Sequence, residues 1–538
     1  MAEKRPETKR EIERKYEAGA DVRLPDLTTV RGVAAVHPEG VMELDAVYYD
    51  TAGLRLAADS LTLRRRTGGS DAGWHLKFPV AAGIRDEIRA PLSDTLPGSL
   101  AALLRSRVRT EPVIPVVRLR SSRDVHHLTA EDGTLLAELS VDTVHADRLT
   151  GGGLRERARW TEIEVELADD ADPAILDAVE KRLKKAGIRP SASPSKLARA
   201  LEETGMRAPE TGREAREAGR EGAETGREAR EAREAGREVA APDAGTAGAA
   251  VLAYVREQAD ALVALDPAVR RDLPDAVHQM RVASRRLRSA FRTYRKVLDR
   301  DVTDPLADDL KWLAAELGHA RDLEVLDARL RAGLAALPRD LVIGPVRRRL
   351  GTWKSAEGGG SRRHTLDALD SPRHLALLDR LDALLAAPPL LPAAHKSAAK
   401  VLPKAVRRDY RRLAKRVEAA LALDPGRDRD LALHSARKAA KRARYAADAA
   451  TPALGRPAKR FASRVKAVQT CLGDHQDSVV ARAALRDLAA AAHDAGEPSF
   501  TWGVLYGREE RSGADRQREL PELWKRASAP KIRAALSH

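Results

Sequence analysis

Glu11-Ile12-Glu13-Arg14-Lys15 decides how the first third of the chain is read. Taken as a strand, with period two, it sets Glu11, Glu13 and Lys15 on one face and Ile12 and Arg14 on the other. Taken as a helix, which Glu, Arg and Lys all favour, it is an ordinary charged first turn. The strand reading prevails because the same alternation returns along the chain. Thr161-Glu162-Ile163-Glu164-Val165-Glu166-Leu167 is its clearest recurrence, with three carboxylates against three aliphatics. Between these ends lie Val47 to Thr51, Ser60 to Arg66, Trp74 to Phe78, Arg85 to Arg89, Val116 to Arg123 and Leu135 to Val141. Gly68-Gly69-Ser70-Asp71-Ala72-Gly73 is a turn cluster that joins two of them as a hairpin.

Many antiparallel strands with one apolar and one densely charged face predict a closed barrel, in which the charged face can be the inner one. Glutamates packed on one face, Glu11 with Glu13 and Glu162 with Glu164 and Glu166, repel one another. A shared lumen tolerates them only with a divalent cation or bound protons. Hard carboxylate oxygens without His or Cys suit Mg2+ or Mn2+. Lys15, Arg64, Arg66, Lys77 and Arg123 would then supply donors for phosphate oxygens.

The rest of the composition fits an anionic partner. The 538 residues carry 95 Lys and Arg against 80 Asp and Glu, a net charge of +15, so nucleic acid, an anionic membrane surface or polyphosphate all come into view. Only 3% of residues are aromatic, which argues against a single-stranded nucleic-acid groove built on stacking. Cys471 is the sole cysteine, excluding an intrachain disulfide and a cysteine zinc cluster. Met1 to Glu17 is studded with charge, unlike a signal peptide, and no apolar run is long enough to span a bilayer. The expected location is cytoplasmic.

The ordered set Glu-x-Glu-x-Lys, Tyr-Tyr-Asp-Thr, Leu-Arg-x-Arg, a later strand Lys, and Glu-x-Glu-x-Glu followed by Ser195-Lys196 resembles the CYTH family, the triphosphate tunnel metalloenzymes, from about Lys9 to Leu201. The resemblance implies an eight-stranded antiparallel barrel whose tunnel holds a triphosphate and one or two divalent cations. It implies Glu11, Glu13, Glu162, Glu164 and Glu166 as metal ligands, with Asp142 a further acidic tunnel residue. Lys15, Arg64, Arg66, Lys77 and Lys196 match phosphate-gripping positions. Arg118, Arg120 and Arg123 compete for one such position, and Arg85 stands in an Arg-x-Glu pattern common in the family. The implied chemistry is hydrolysis of a terminal phosphoanhydride, with Lys15 and Arg64 acting on the reacting phosphate and Glu164 orienting water.

Residues 206–247 fall into Glu-Ala-Arg-Glu and Gly-Arg-Glu units with almost no large apolar side chain, the composition of a low-complexity linker. Beyond it, His278-Gln279-Met280-Arg281-Val282-Ala283-Ser284-Arg285-Arg286-Leu287-Arg288 has a counterpart in His434-Ser435-Ala436-Arg437-Lys438-Ala439-Ala440-Lys441-Arg442-Ala443-Arg444. Steps of three, four and three set His278, Arg281, Arg285 and Arg288 along one helical stripe, and His434, Arg437, Lys441 and Arg444 along another. Leu317-Gly318-His319-Ala320-Arg321-Asp322 likewise answers Leu472-Gly473-Asp474-His475-Gln476-Asp477. The repeat implies two similar helical units. This half, about Ala247 to Ala527, resembles the CHAD family of helical domains. The resemblance implies two pseudo-repeated four-helix units that bind inorganic polyphosphate through Arg281, Arg285, Arg286, Arg288, Arg437, Lys438, Lys441, Arg442 and Arg444. His278 and His434 would donate hydrogen bonds to phosphate or cap a neighbouring helix.

The expected protein is therefore multidomain α+β. It has an eight-stranded antiparallel β-barrel over 1–205, the linker, and an all-α domain of two pseudo-repeated four-helix bundles over 248–538 (repeats about 248–388 and 389–530). A metal-dependent triphosphatase with a polyphosphate-binding domain is the expected function, tripolyphosphate being the favoured substrate. The alternatives are a non-catalytic polyphosphate-binding protein, a class IV adenylate cyclase and a general nucleic-acid binder. Sequence-specific nucleic-acid binding is not expected.

Overall fold

The computed structural model describes residues 7–149, 157–206 and 242–534, apart from the side chains of 319, 320, 533 and 534. Most of the expected linker lies outside the described residues. The chain divides into two compact units, Met1–Arg237 and Glu238–His538. No helix among the described residues is long and apolar enough to cross a membrane.

The first unit is an antiparallel sheet of β1 (Glu7–Ala18), β2 (Ala35–Asp50), β3 (Thr62–Thr67), β4 (Gly73–Ala81), β5 (Ile84–Pro91), β6 (Ile114–Thr129), β7 (Leu135–Arg148), β8 (Arg157–Leu167) and the two-residue β9 (Arg189–Pro190). The strand order is β5-β4-β3-β2-β6-β7-β8-β1-β9, and β5 also pairs with β1, so the first eight strands close into a ring. Period-two alternation then divides the side chains. On β8, Ile163, Val165 and Leu167 turn outward and are buried with Tyr16 of β1 against Ile175, Leu176, Val179 and Leu183 of α3 (Ala174–Lys185). Leu63, Trp74, Leu76 and Ile88 do the same under Leu100, Leu103 and Leu104 of α2 (Gly98–Val108), which follows the one-turn α1 (Arg55–Ala58). Each aliphatic side chain buried this way contributes about 1.5–3 kcal/mol. The apolar faces thus look out to covering helices and the charged faces look in.

One end of the interior is apolar. Ala46, Tyr48, Val117, Leu119, Val144, Ala146 and Trp160 meet Leu197, Ala200 and Leu201 of α4 (Lys196–Glu203). The Ser195 side chain caps α4 by accepting from the Ala198 amide at 3.1 Å, which fixes where the helix begins.

The second unit is helical: α5 (Ala247–Arg270), α6 (Ala276–Thr293), α7 (Arg300–Glu316), α8 (Gly318–Ala335), α9 (Val346–Gly358), α10 (Ser361–Asp370), α11 (Pro372–Ala386), α12 (Ala398–Leu421), α13 (Arg427–Leu454), α14 (Arg456–Asp494), α15 (Phe500–Ala527) and α16 (Pro530–Ala534). The expected halves differ. Among the described residues, 248–388 holds seven α-helices, whereas 389–530 is built on four long ones, α12 to α15. One apolar core draws on both, including Leu287, Phe291 and Leu310 from one half and Val406, Leu413 and Phe461 from the other, and a second joins Leu330 and Leu350 to Leu485 and Trp502. Polar ties cross the first too: Tyr294 donates to the Ala446 carbonyl and Thr293 to Asp409, both at 2.6 Å.

Candidate functional site

Inside the ring, a cavity of about 270 Å³ is lined from all eight strands and from Ser195, Lys196 and Leu197 at the start of α4. Register places its charges. Lys15 of β1 lies directly across from Glu164 of β8, Arg123 of β6 across from Asp142 of β7, and Asp142 across from Glu162 of β8. Two carboxylates directly opposite each other are destabilising unless a cation joins them. Here Lys196 does. Its Nζ lies 2.8 Å from Asp142, 2.8 Å from Glu162 and 2.6 Å from Glu164.

Asp142, Glu162 and Glu164 form the one group among the described residues whose ligand atoms could converge on a metal, within 4.8 Å of one another. Arg123 grips both oxygens of Asp142 and one of Glu164, each at 2.7 Å, and Lys15 pairs with Glu164. Burial opposes ionisation of Glu164, but Lys15, Lys196 and Arg123 outweigh it and hold the carboxyl well below its usual range. Burial likewise opposes charge on Asp142, and Lys196 and Arg123 hold it low. The triad is oxygen-only and compact. Glu162 Oε2 accepts from the Trp160 indole at 2.7 Å, whereas its buried Oε1 faces the Lys196 ammonium at 2.8 Å without an aligned hydrogen bond. A hard divalent cation fits that donor set.

The other expected acidic ligands line the same cavity outside this triad. Glu11 is held by Lys77, Glu13 by Lys15 at 3.2 Å and Arg85 at 3.8 Å, and Glu166 by Lys9 at 2.8 Å. Burial pushes the Glu11 carboxyl up to about 6 against the pull of Lys77, with Glu87 and Glu166 adding to the rise. Lys15 and Lys77 overcome the burial of Glu13 and hold it below the usual carboxylate range.

Arg64, Arg66, Lys77, Arg85, Arg123 and Lys196 all face the cavity. Arg66, which pairs with Asp71, is pushed downward by burial and by the guanidiniums of Arg64 and Arg123. Arg118 and Arg120 are corrected: both point out of the ring, Arg118 to Asp45 and Arg120 to Asp147 at 3.0 Å. The β6–β7 ladder has no register shift between 117 and 128, so residues an odd number from Arg123 lie on the opposite face. Glu87 was left without a role by the sequence, yet it is wholly buried at the hub, 3.6 Å from both Arg64 and Lys77, 2.9 Å from His75 and paired with Arg89. Its place opposite Lys77 on an inward-facing strand was the available signal.

In the second unit the two stripes meet. Lys441 of α13 lies among Arg437 of its own helix and Arg285 and Arg281 of α6, and burial with these guanidiniums pushes its ammonium down to about 7. Burial, then Arg281, also pushes Arg285 downward. The repeat is visible in contacts: Arg281 pairs with Asp322 at 2.8 Å, and Arg437 with Asp477 at 3.6 Å. Gly318 and Gly473 face those same arginines, and a Cβ on either would lie within 4 Å of the guanidinium. His278 is exposed and His434 bonds Gln476 at 2.6 Å. Arg288 sits beside Arg292 and Arg285. Arg286 and Arg444 lie over the Tyr445 ring, Arg442 pairs with Asp409 at 2.9 Å, and Lys438 is exposed. Of the expected polyphosphate contacts, the structure therefore gathers Arg281, Arg285, Arg437 and Lys441.

Comparison with known proteins supplies the family. The CYTH domain profile matches residues 9–201 and the CHAD domain profile residues 253–486. The chain is 38% identical over 548 residues to the Mycobacterium tuberculosis proteins MT2285 and Rv2226, both described as uncharacterized, across 99% of this chain and 98% of theirs. Among solved structures it is similar to PptA from Streptomyces chartreusis (22% identity, TM-score 0.44, 52% of this chain and 99% of that one). It is also similar to the CHAD domain from the plant Ricinus communis (27% identity, TM-score 0.43, 53% and 92%).

Proposed function

The chain belongs to the family of proteins that join a CYTH domain to a CHAD domain, and from that premise we propose that its first unit is a divalent-metal-dependent triphosphatase and its second a polyphosphate-binding unit. The observation that carries the reading is the cavity itself, lined by Lys15, Arg64, Arg66, Lys77, Arg123 and Lys196 and reached by Glu164 of the carboxylate triad. So many inward cations have a use only for a polyanion small enough to enter the ring.

Arg64 and Lys77, fixed from behind by Glu87, grip the oxygens of a bound triphosphate. Lys15 and Arg123 neutralise charge gathering on the transferred phosphoryl group. Asp142, Glu162 and Glu164 hold Mg2+ or Mn2+, which when bound supplies further neutralisation of phosphoryl-oxygen charge. Glu164, kept ionised by its three cations, orients the attacking water. In the second unit, Arg281, Arg285, Arg437 and Lys441 bind successive phosphates of a longer chain.

Tripolyphosphate is the favoured substrate because the cavity lining is overwhelmingly charged. An organic triphosphate is supported by a second pocket of about 470 Å³, which shares Thr62, Arg85, Ser195 and Leu197 with the cavity and continues to Leu61, Leu201 and Met206. The test is phosphate release from tripolyphosphate, thiamine triphosphate and ATP with Mg2+ or Mn2+. Metal-dependent release is expected, falling about 10²–10³-fold in kcat for Arg64→Ala and comparably for Glu164→Ala. Tight polyphosphate binding with no turnover of any of the three would reduce the ring to a binding module.

A further inference from the structure

We propose that Lys196 is a displaceable internal counter-ion, neutralising the Asp142–Glu162–Glu164 triad until a divalent cation enters and then passing to phosphate oxygens in the adjoining cavity. The inference rests on the metal-dependent reading of the ring and adds to it a coupling between metal and anion built into one side chain.

Three carboxylates are matched by three contacting cations, Arg123, Lys15 and Lys196, and these are not held alike. Arg123 makes paired hydrogen bonds to both Asp142 oxygens. Lys15 sits opposite Glu164 in the strand register and hydrogen-bonds to Glu164 and Glu13. The Lys196 ammonium, with its side chain only 10% exposed, is near all three carboxylates yet makes no aligned hydrogen bond to any of them. The facing Glu162 Oε1 is equally without one. Lys196 is thus the one of the three cations that contacts every carboxylate of the triad, in the place where their oxygens would meet a metal, and it is the cation that an entering divalent ion would displace.

Its path out is short. The backbone at Lys196 is pinned by the Ser195 cap and by Arg85, which donates to the Pro194 carbonyl at 2.8 Å. The flexible four-carbon stem is left to move, and it already lines the cavity. A triphosphate that receives the expelled ammonium makes metal entry easier, and by linkage the metal strengthens anion binding in equal measure.

The test titrates Mn2+ alone into the full chain, with free Mn2+ read from its electron paramagnetic resonance signal. Lys196→Met is expected to bind Mn2+ about tenfold tighter than the unaltered protein, within the usual range of such couplings. Lys9→Met, which removes a cavity cation paired with Glu166 and not with the triad, is expected to change little. Adding Glu162→Gln to Lys196→Met should return the affinity towards the starting value. Because Lys196→Met leaves the triad one positive charge short, thermal unfolding is followed alongside: its Tm should fall in chelator and recover with Mn2+, while Lys196→Arg stays near the unaltered protein in both. A Lys196→Met variant no tighter than the unaltered chain, or no tighter than Lys9→Met, overturns the proposal, as does a gain that survives Glu162→Gln. Turnover with no gain in Mn2+ affinity sinks the counter-ion alone; the gain without turnover sinks the hydrolase reading alone.

Discussion

Lys441 is a side chain whose charge state should respond to what it binds. Its neighbours are Arg437, Arg285 and Arg281, with Asp477 the opposing charge, and burial with the guanidiniums brings its pKa to about 7. Between that value and the ordinary 10.5 the unfolded chain carries a proton that the folded chain lacks, so this group's contribution to stability rises with pH across that window. A polyanion docked on the arginines reverses the preference and draws the proton back. Polyphosphate binding at pH 8.5 is therefore expected to take up close to one proton, and affinity should decline from pH 7 to 9. His278 and His434 are also pushed below their ordinary value, by partial burial and by neighbouring cations, so the Lys441 variant separates their share from its own. Calorimetry in two buffers of different ionisation enthalpy reads the proton directly. Equal heats in both, or uptake that persists in Lys441→Met, would refute it.

At the level of the element, strand alternation made the ring legible. Glu11, Glu13 and Lys15 share an inward face while Ile12 and Tyr16 pack outward, as period two dictates. The same rule could have excluded Arg118 and Arg120, which differ from Arg123 by odd steps; composition drew them in and parity puts them out. On the helices the period is longer, and Arg286, Lys438 and Arg442 stand beside the stripes and not on them. Each is adjacent to a stripe residue, and neighbours in sequence lie about 100° apart on a helix, so they leave the shared face. Contacts such as Lys196 with the triad were not legible, because they depend on how α4 meets the ring. Closure of the ring itself rests on a tight turn. Gly83 has φ +69°, its carbonyl accepts from the Glu13 amide at 2.9 Å, and a Cβ there would stand 2.9 Å from the Glu13 carbonyl. Gly83→Ala is expected to destabilise the first unit by about 1–3 kcal/mol, the cost of a left-handed non-glycine residue. Denaturant unfolding followed by tryptophan emission measures it, and an unmoved midpoint would show that the β1–β5 seam does not depend on this turn.

At the scale of the whole molecule, the net charge of +15 says little until it is divided. In the first unit cations and carboxylates are interleaved inside a ring, a geometry for a short anion and a metal. In the second, Arg281, Arg285, Arg437 and Lys441 come from two helices of a pseudo-repeated pair and are compensated chiefly by Asp322 and Asp477, a geometry for a longer anion. Each cluster lies within one of the two compact units, so the two activities should be separable by substitution in the intact chain. Arg437→Ala with Lys441→Ala is expected to weaken binding of long-chain polyphosphate at least about tenfold, since hydrogen bonds to charged groups contribute some 1.5–3 kcal/mol each. The same pair should leave kcat/KM for tripolyphosphate almost unchanged. Arg64→Ala should do the reverse. With polyphosphate as substrate, loss of the second unit's cations should raise KM and spare kcat, because it removes binding made equally in ground and transition states. A fall in tripolyphosphate turnover on Arg437→Ala with Lys441→Ala would mean that the helical cations take part in the ring's chemistry, and the division of labour between the units would have to be abandoned.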